Sequence, residues 1–67
     1  MFNKNLFKSK YIEHNLKAAD VAVLLGINPA TLARKMSGES DFTRNEIQLF
    51  RTALNLSAEE IESIFFA

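Results

Sequence analysis

The segment from Val21 to Arg34 has the pattern of two short helices separated by a glycine, and it constrains the fold more than any other feature. Its first half carries an apolar stripe at helical spacing, formed by Val21, Leu24 and Leu25. Gly26 can adopt the positive φ that ends a helix. Asn28 supplies an N-cap, and Pro29 supplies a first residue whose φ is already helical. The sequence therefore predicts a helix-turn-helix.

The second of these two helices has a narrow buried seam. Leu32 and Met36 lie four residues apart, and Ala22 on the first helix is small enough for the second to cross close to it. The other side chains lie outside this seam or at its edges: Pro29, Ala30, Thr31, Ala33, Arg34 and Lys35. A helix this short is stable only when docked. We expect it to be held out from the protein, at an angle that fits the major groove of DNA.

Cap and turn signals divide the whole chain into five helical segments with short connections. We predict helices at about residues 3–14, 17–25 and 29–36. Two further helices begin at capping boxes, formed by Thr43 with Glu46 and by Ser57 with Glu60. The predicted inward residues are Leu6, Phe7, Tyr11 and Ile12 in the first helix, Ile47, Phe50, Ala53 and Leu54 in the fourth, and Ile61, Ile64 and Phe65 in the fifth. The predicted fold class is all-α.

Length and composition favour one small domain with one task. The chain has 67 residues, 48% of them hydrophobic, and no cysteine. We therefore predict a single domain over 1–67, stabilised by packing, with the motif at about 17–36. The lack of cysteine fits the cytoplasm, and no signal-peptide core or membrane span is evident. No nucleophile with a partner histidine, metal-ligand cluster or phosphate loop is present. We expect no enzyme activity, no metal, no other cofactor and no small-molecule substrate.

The same residues resemble a known family. The ordered set that carries the resemblance is Ala22, Gly26, Leu32, Gly38, Phe42 and the pair Glu46-Ile47. It looks like the lambda-repressor-like (Xre-type) helix-turn-helix domain of phage repressors and Cro proteins, and it covers nearly the whole chain. The resemblance implies a compact domain of five helices, in which the third helix reads the major groove. It also implies binding to a double-stranded DNA operator, usually as a homodimer.

The resemblance and the exposed positions together give a set of candidate DNA-binding residues. They are Lys17, Ala18, Asn28, Pro29, Ala30, Thr31, Ala33, Arg34, Lys35, Ser40 and Arg44. Many relatives carry glutamine or serine where this chain has Pro29 and Ala30, so bidentate recognition of adenine by an amide is not available there. Ala30 and the Thr31 methyl are instead expected to touch thymine methyls, and Arg34 a guanine or a phosphate.

Several of these residues also have a purely structural interpretation. Gly26 and Pro29 are needed by the turn whatever the function. Arg34 and Lys35 are also compatible with ordinary solvated charges. Lys17 lies where relatives often carry a capping threonine or serine. It is therefore expected to weaken the cap of the second helix and to be available for a phosphate contact.

The charge distribution leaves more than one function open. The net charge is zero, yet residues 1–35 hold six basic and two acidic side chains, and residues 36–67 hold two basic and six acidic ones. The first hypothesis is a sequence-specific transcriptional regulator of the repressor or Cro type. The alternatives are an antirepressor-like modulator that binds a partner repressor protein, and an antitoxin. Phe65 and Phe66, adjacent on the last turn, predict an association surface.

Overall fold

Five α-helices form all the regular structure of the chain, so the predicted all-α class is confirmed. The computed structural model describes all of residues 1–67. Its helices are α1 (Lys4–Glu13), α2 (Ala18–Leu25), α3 (Pro29–Met36), α4 (Arg44–Leu54) and α5 (Ala58–Phe65). The predicted bounds of the first three helices agree with these within one residue. Each of the five helices is too short or too polar to cross a membrane.

Side-chain caps begin four of the five helices. They are provided by Asn3, Asn28, Thr43 and Ser57. Both predicted capping boxes form, at Thr43 with Glu46 and at Ser57 with Glu60. α2 is the exception, because the ammonium of Lys17 cannot accept a hydrogen bond. Only the reverse contact is made there, from the Lys17 N–H to Asp20 Oδ2 at 2.8 Å. α2 therefore begins with a weaker cap than its neighbours, as its sequence indicates.

The first four helices end in the same way, at a residue of positive φ. These residues are Asn15 (60°), Gly26 (73°), Gly38 (89°) and Asn55 (54°). In each case the next N–H donates to a carbonyl five residues back: Leu16 to Tyr11, Ile27 to Ala22, Glu39 to Arg34, and Leu56 to Arg51. This is the Schellman arrangement, which satisfies carbonyls that a helix end leaves free. Asparagine and glycine tolerate the left-handed conformation best, and so they set the helix lengths.

An aromatic cluster centred on Phe7 fills the core. The Phe7 ring stacks on Phe50 of α4, with 4.4 Å between centroids. It also lies within 6.0 Å of Phe65 of α5 and 5.3 Å of Phe42 in the loop between α3 and α4. Phe7 and Phe50 are both fully buried. Replacing a buried phenylalanine by alanine typically lowers the free energy of unfolding by about 3–5 kcal/mol. Because the rings come from α1, α4 and α5, this cluster joins the three helices into one core.

Two predicted inward residues lie on the surface instead. Ile12 is 58% exposed, because α1 packs mainly on α5 and needs only the narrow seam of Phe7 and Tyr11. Ala53 is also exposed, because Phe50 and Leu54 already form the inward row of α4. The predictions for Ile12 and Ala53 were wrong for one reason. Helical spacing gives the centre of a buried face but not its width, which depends on the neighbouring helices.

Contacts between α1 and α5 also bring the two ends of the chain together. The Asn3 N–H donates to the Ile64 carbonyl at 2.7 Å, and Lys10 Nζ lies 2.7 Å from Glu60 Oε2. The hydrogen bond from Lys10, with that from the Ser57 N–H, lowers the pKa of the Glu60 carboxyl to about 2. The same hydrogen bond raises the pKa of Lys10. One carboxylate thus serves both as the cap of α5 and as its link to α1.

We predict that substitutions at Gly26 are limited by backbone conformation and not by space. A Cβ at this position meets no atom within 4 Å, but the φ of 73° is unfavourable for residues with a side chain. Gly26→Ala should therefore lower the free energy of unfolding by about 1–2 kcal/mol, and Gly26→Asn by clearly less. Urea unfolding of the two variants checks this. Equal losses in both would contradict the conformational explanation.

Candidate nucleic-acid interface

The connection between α2 and α3 is a turn of three residues, Gly26 to Asn28. Gly26 reverses the chain, and Ile27 is half-buried against the core. Asn28 Oδ1 then accepts a hydrogen bond from the Thr31 N–H at 2.8 Å and caps α3. α2 packs against both α3 and α4. The turn therefore fixes where α3 begins, and α2 fixes the surface on which it lies.

One side of α3 is buried and the other is open to solvent. Leu32 is 1% exposed and Lys35 is 9% exposed, while Thr31 and Met36 are half-buried. The exposed positions repeat at helical spacing and form what we call the free face of α3, which consists of Ala30, Ala33 and Arg34 and extends to the C-cap residue Ser37. Asn28 and Pro29 are exposed at its N-terminal end. This part of the candidate interface agrees with the expectation from the sequence.

The free face of α3 offers methyl groups and a single positive charge. Arg34 Nη2 donates to Thr31 Oγ1 at 3.3 Å, and Ser37 Oγ donates to the Arg34 carbonyl at 3.0 Å. These contacts leave most donors of the Arg34 guanidinium free, since it has five. The chain carries no carboxylate from Gly26 to Gly38. The free face of α3 is therefore mildly positive, carries mostly small side chains and has few hydrogen-bonding groups.

Both interpretations of Lys35 from the sequence, a DNA contact and a solvated charge, expect an exposed side chain, and this expectation is wrong. Its Nζ donates to the Asp41 carbonyl at 2.8 Å and lies 3.1 Å from Glu46 Oε1. The ammonium also lies 6.0 Å from the centroid of the Phe42 ring. Both charged side chains of the pair are about 10% exposed. The ammonium of Lys35 thus binds groups of the protein itself and holds α3 to the start of α4. Lys35 does not belong to the free face of α3.

Glu46 is the anionic half of this contact and has two functions. Its Oε1 accepts from the Thr43 N–H at 2.8 Å, which completes the capping box of α4. Burial by itself raises the pKa of Glu46, but the Thr43 N–H and the Lys35 ammonium outweigh it and hold the pKa below its ordinary value. A carboxyl of lowered pKa stabilises the fold at neutral pH, and this contribution is lost as the pH falls through the folded-state value.

The sequence contained one signal for the burial of Lys35. Lys35 follows Leu32 by three residues, so it lies on the same side of α3 as the seam of Leu32 and Met36. For its partner Glu46, the sequence indicates only a capping role in α4. A carboxylate that caps one helix and faces a lysine at the inner edge of another cannot be identified until the crossing of the two helices is known.

The remaining candidate residues lie outside α3. Lys17 and Ala18 are exposed at the start of α2, and Arg44 is exposed at the first position of α4. Ser40 is exposed in the loop between α3 and α4. Lys17 and Arg44 take part in no ion pair within the chain. The two cations are therefore free to contact an anionic partner.

The two phenylalanines of the predicted association surface lie in different environments. Phe65 is 8% exposed and packs against Phe2, Phe7, Phe42 and Phe50, so it is a core residue. Phe66 is 59% exposed. The structure thus confirms the inward position predicted for Phe65 with Ile61 and Ile64, and this position removes Phe65 from the predicted association surface. Only Phe66 presents most of its ring to solvent.

Comparisons of the chain with protein-family models, with curated proteins and with solved structures give no match. The assignment of function therefore rests on the residues and geometry described above.

We predict that the Lys35–Glu46 pair is a stabilising contact of α3. Lys35→Met should lower the free energy of unfolding by about 1–3 kcal/mol, because it leaves the buried Glu46 carboxylate without its cation. Lys35→Met combined with Glu46→Gln should recover part of this loss, since a glutamine oxygen still accepts from Thr43. Arg34→Met is the matched control on the exposed side of α3. A loss in Lys35→Met no larger than in this control, measured by urea unfolding, would contradict the prediction.

Proposed function

We propose that this protein is a sequence-specific DNA-binding transcriptional regulator of the phage repressor or Cro type. In this proposal α2 and α3 are the two helices of a helix-turn-helix, and α3 enters the major groove. The observation that carries the proposal is the free face of α3, which follows directly on a tight glycine turn and lacks any carboxylate. The pattern of residues that resembles the lambda-repressor-like family supports the same function.

The dimensions of α3 suit the proposed docking. An α-helix with its side chains is about 10–12 Å in diameter, and the major groove of B-DNA is about 12 Å wide. Small side chains at Ala30 and Ala33 would allow the helix backbone to approach the bases closely. Their methyl groups, with that of Thr31, match the apolar C5-methyl of thymine. The face is therefore better suited to shape and methyl contacts than to a dense set of hydrogen bonds.

Arg34 is the proposed polar reader of this interface. A guanidinium can donate two parallel hydrogen bonds to O6 and N7 of guanine, or to the oxygens of a phosphate. Arg34 is exposed and forms no ion pair, so both uses are open to it. Lys17 and Arg44, at the starts of α2 and α4, and Ser40 in the loop are the proposed phosphate contacts. Such contacts orient a protein on the duplex without reading sequence.

A second candidate function is an antirepressor-like modulator that binds a partner repressor protein. The burial of Lys35 in its pair with Glu46 favours this second function, because Arg34 is then the only cation on the free face of α3. Zero net charge also removes the long-range attraction to DNA that a basic domain has. The methyl-rich face of α3 would then pack on a protein surface.

We predict that Ala33→Glu abolishes binding to duplex DNA and leaves the fold intact. Ala33 is exposed on the free face of α3, so a carboxylate there would repel phosphate without disturbing the core. Ala53→Glu is the matched control, because Ala53 is an exposed alanine on α4. Fluorescence anisotropy with random-sequence and selected duplexes at low salt measures the binding, and thermal unfolding measures the fold.

The outcomes of this experiment separate the two candidate functions. DNA binding by the wild type and by Ala53→Glu, but not by Ala33→Glu, supports the proposal. Equal binding by all three would remove α3 from the interface. If the wild type binds no duplex at low salt, DNA recognition is wrong, and the protein-binding function becomes the better proposal.

We predict that Arg34→Ala weakens DNA binding by about 1–3 kcal/mol. If Arg34 reads guanine, the loss will be confined to duplexes that carry that base pair. If it holds a phosphate, all duplexes will weaken alike, and the slope of log K against log salt will become less steep by about 0.9. Lys8→Ala, which removes an exposed cation from α1, is the control. Unchanged affinity of Arg34→Ala for every duplex would exclude Arg34 from the interface.

A further inference from the structure

The hydrogen bonds around the free face of α3 leave few of its polar groups able to read a base. Asn28 Oδ1 accepts a hydrogen bond from the Thr31 N–H at 2.8 Å. The Ser37 hydroxyl donates to the Arg34 carbonyl at 3.0 Å. The ammonium of Lys35 is buried in its ion pair. The groups that remain for a base are mainly the Arg34 guanidinium and the methyl groups beside it.

Thr31 holds the Arg34 guanidinium over the first turn of α3. Its Oγ1 accepts a hydrogen bond from Arg34 Nη2 at 3.3 Å, so the arginine side chain runs back along the helix to the level of Thr31. Ala30 directly precedes Thr31 and is exposed on the free face. One residue advances an α-helix by about 1.5 Å, whereas successive base pairs are about 3.4 Å apart. The guanidinium and the Ala30 methyl are therefore placed to contact the same base pair or two adjacent ones.

The Ala30 methyl can recognise only one difference between pyrimidines in the major groove. A methyl group forms no hydrogen bond, so it does not distinguish the O4 acceptor of thymine from the N4 donor of cytosine. It packs on the C5-methyl of thymine, which cytosine and uracil lack. Cytosine that is methylated at C5 carries the same methyl at the same place. Contact with Ala30 therefore groups 5-methylcytosine with thymine, and unmethylated cytosine with uracil.

We propose that the protein reads a guanine next to a pyrimidine that carries a C5-methyl, and that 5-methylcytosine can replace thymine at this position. The inference rests on the DNA-binding function proposed above. Arg34 donates to O6 and N7 of the guanine, and Ala30 packs on the neighbouring methyl. Thr31 is a positioning residue, because it acts on the DNA through Arg34. Methylation of cytosine at C5 thus raises the affinity of a site and regulates its occupancy.

Four versions of one duplex test the DNA side of the inference. The wild-type protein selects the duplex from a random pool, and the contacted guanine is the one whose replacement no longer affects binding by Arg34→Ala. Each base pair next to it is then made in turn as thymine·adenine, uracil·adenine, cytosine·guanine or 5-methylcytosine·guanine. At the contacted pair, removal of the methyl from thymine should weaken binding about fourfold, and its addition to cytosine should strengthen binding about fourfold. Each comparison changes one methyl and no hydrogen-bonding group, and competition anisotropy measures it.

Two variants test the protein side, and each should change one preference only. Ala30→Gly removes the methyl of the protein, so it should abolish both methyl effects and keep the preference for guanine. Thr31→Val keeps the branched shape but loses the oxygen that accepts from Arg34. It should lower the preference for guanine about two- to tenfold and keep the methyl effects. Ala53→Gly, at an exposed alanine of α4, is the control and should change neither preference. Thermal unfolding checks that every variant is folded at the temperature of the binding measurement.

The outcomes distinguish failure of this inference from failure of the proposed function. A wild type that binds all four duplexes equally overturns the inference and leaves the DNA-binding function in place. So does a methyl effect that persists in Ala30→Gly, because the methyl then acts through the shape of the DNA. A loss in Arg34→Ala that is equal for every duplex also overturns it, because Arg34 then holds a phosphate. Absence of binding to any duplex at low salt overturns the proposed function and this inference together.

Discussion

The stack of Phe7 on Phe50 is the contact on which the rest of the structure depends. It joins the first helix of the chain to the fourth, and the rings of Phe42 and Phe65 pack around it. A chain of 67 residues has no second core to compensate for a weak one. Because α1, α4, α5 and the loop before α4 all contribute rings to this cluster, they form one rigid frame. α2 and α3 are then attached to a surface that is already fixed.

α3 is attached to that frame in a different way. It contributes one fully buried apolar residue, Leu32, and it packs mainly on α2. Its second anchor is polar: the ammonium of Lys35 is held by Glu46 and by the Asp41 carbonyl. A polar anchor has directional requirements that an apolar contact lacks, so it fixes the rotation of α3 as well as its position. The rotation of α3 about its axis decides which residues form its free face. The proposed function requires the same residues to be exposed at all times.

Much of this fold could be predicted from the sequence, because the helix ends are determined by residues close to them in the chain. The caps at Asn28, Thr43 and Ser57 act within one turn of the chain, and so does the left-handed Gly26. Each needs only a few neighbouring residues to be recognised, and each is present in the structure.

The errors arose where the outcome depends on residues distant in the sequence. Ile12 lies outside because α5 covers a narrow strip of α1, and Ala53 lies outside because Phe50 and Leu54 already form the inward row of α4. The charge of Lys35 predicts an exposed side chain, yet its partner Glu46 comes from another helix and holds it inside. The chemistry of a side chain predicts what kind of partner it needs. Only the crossing of helices decides whether that partner is water, a carboxylate or a ring.

The two ion pairs of the structure join the basic first half of the sequence to its acidic second half. Lys10 and Lys35, from the basic half of the sequence, are paired with Glu60 and Glu46 from the acidic half. These contacts bring opposite charges together and reduce the separation of charge that the sequence indicates. Long-range attraction to DNA is therefore weak, and under the proposed function the affinity would come from a few short contacts made by Arg34 and its neighbours.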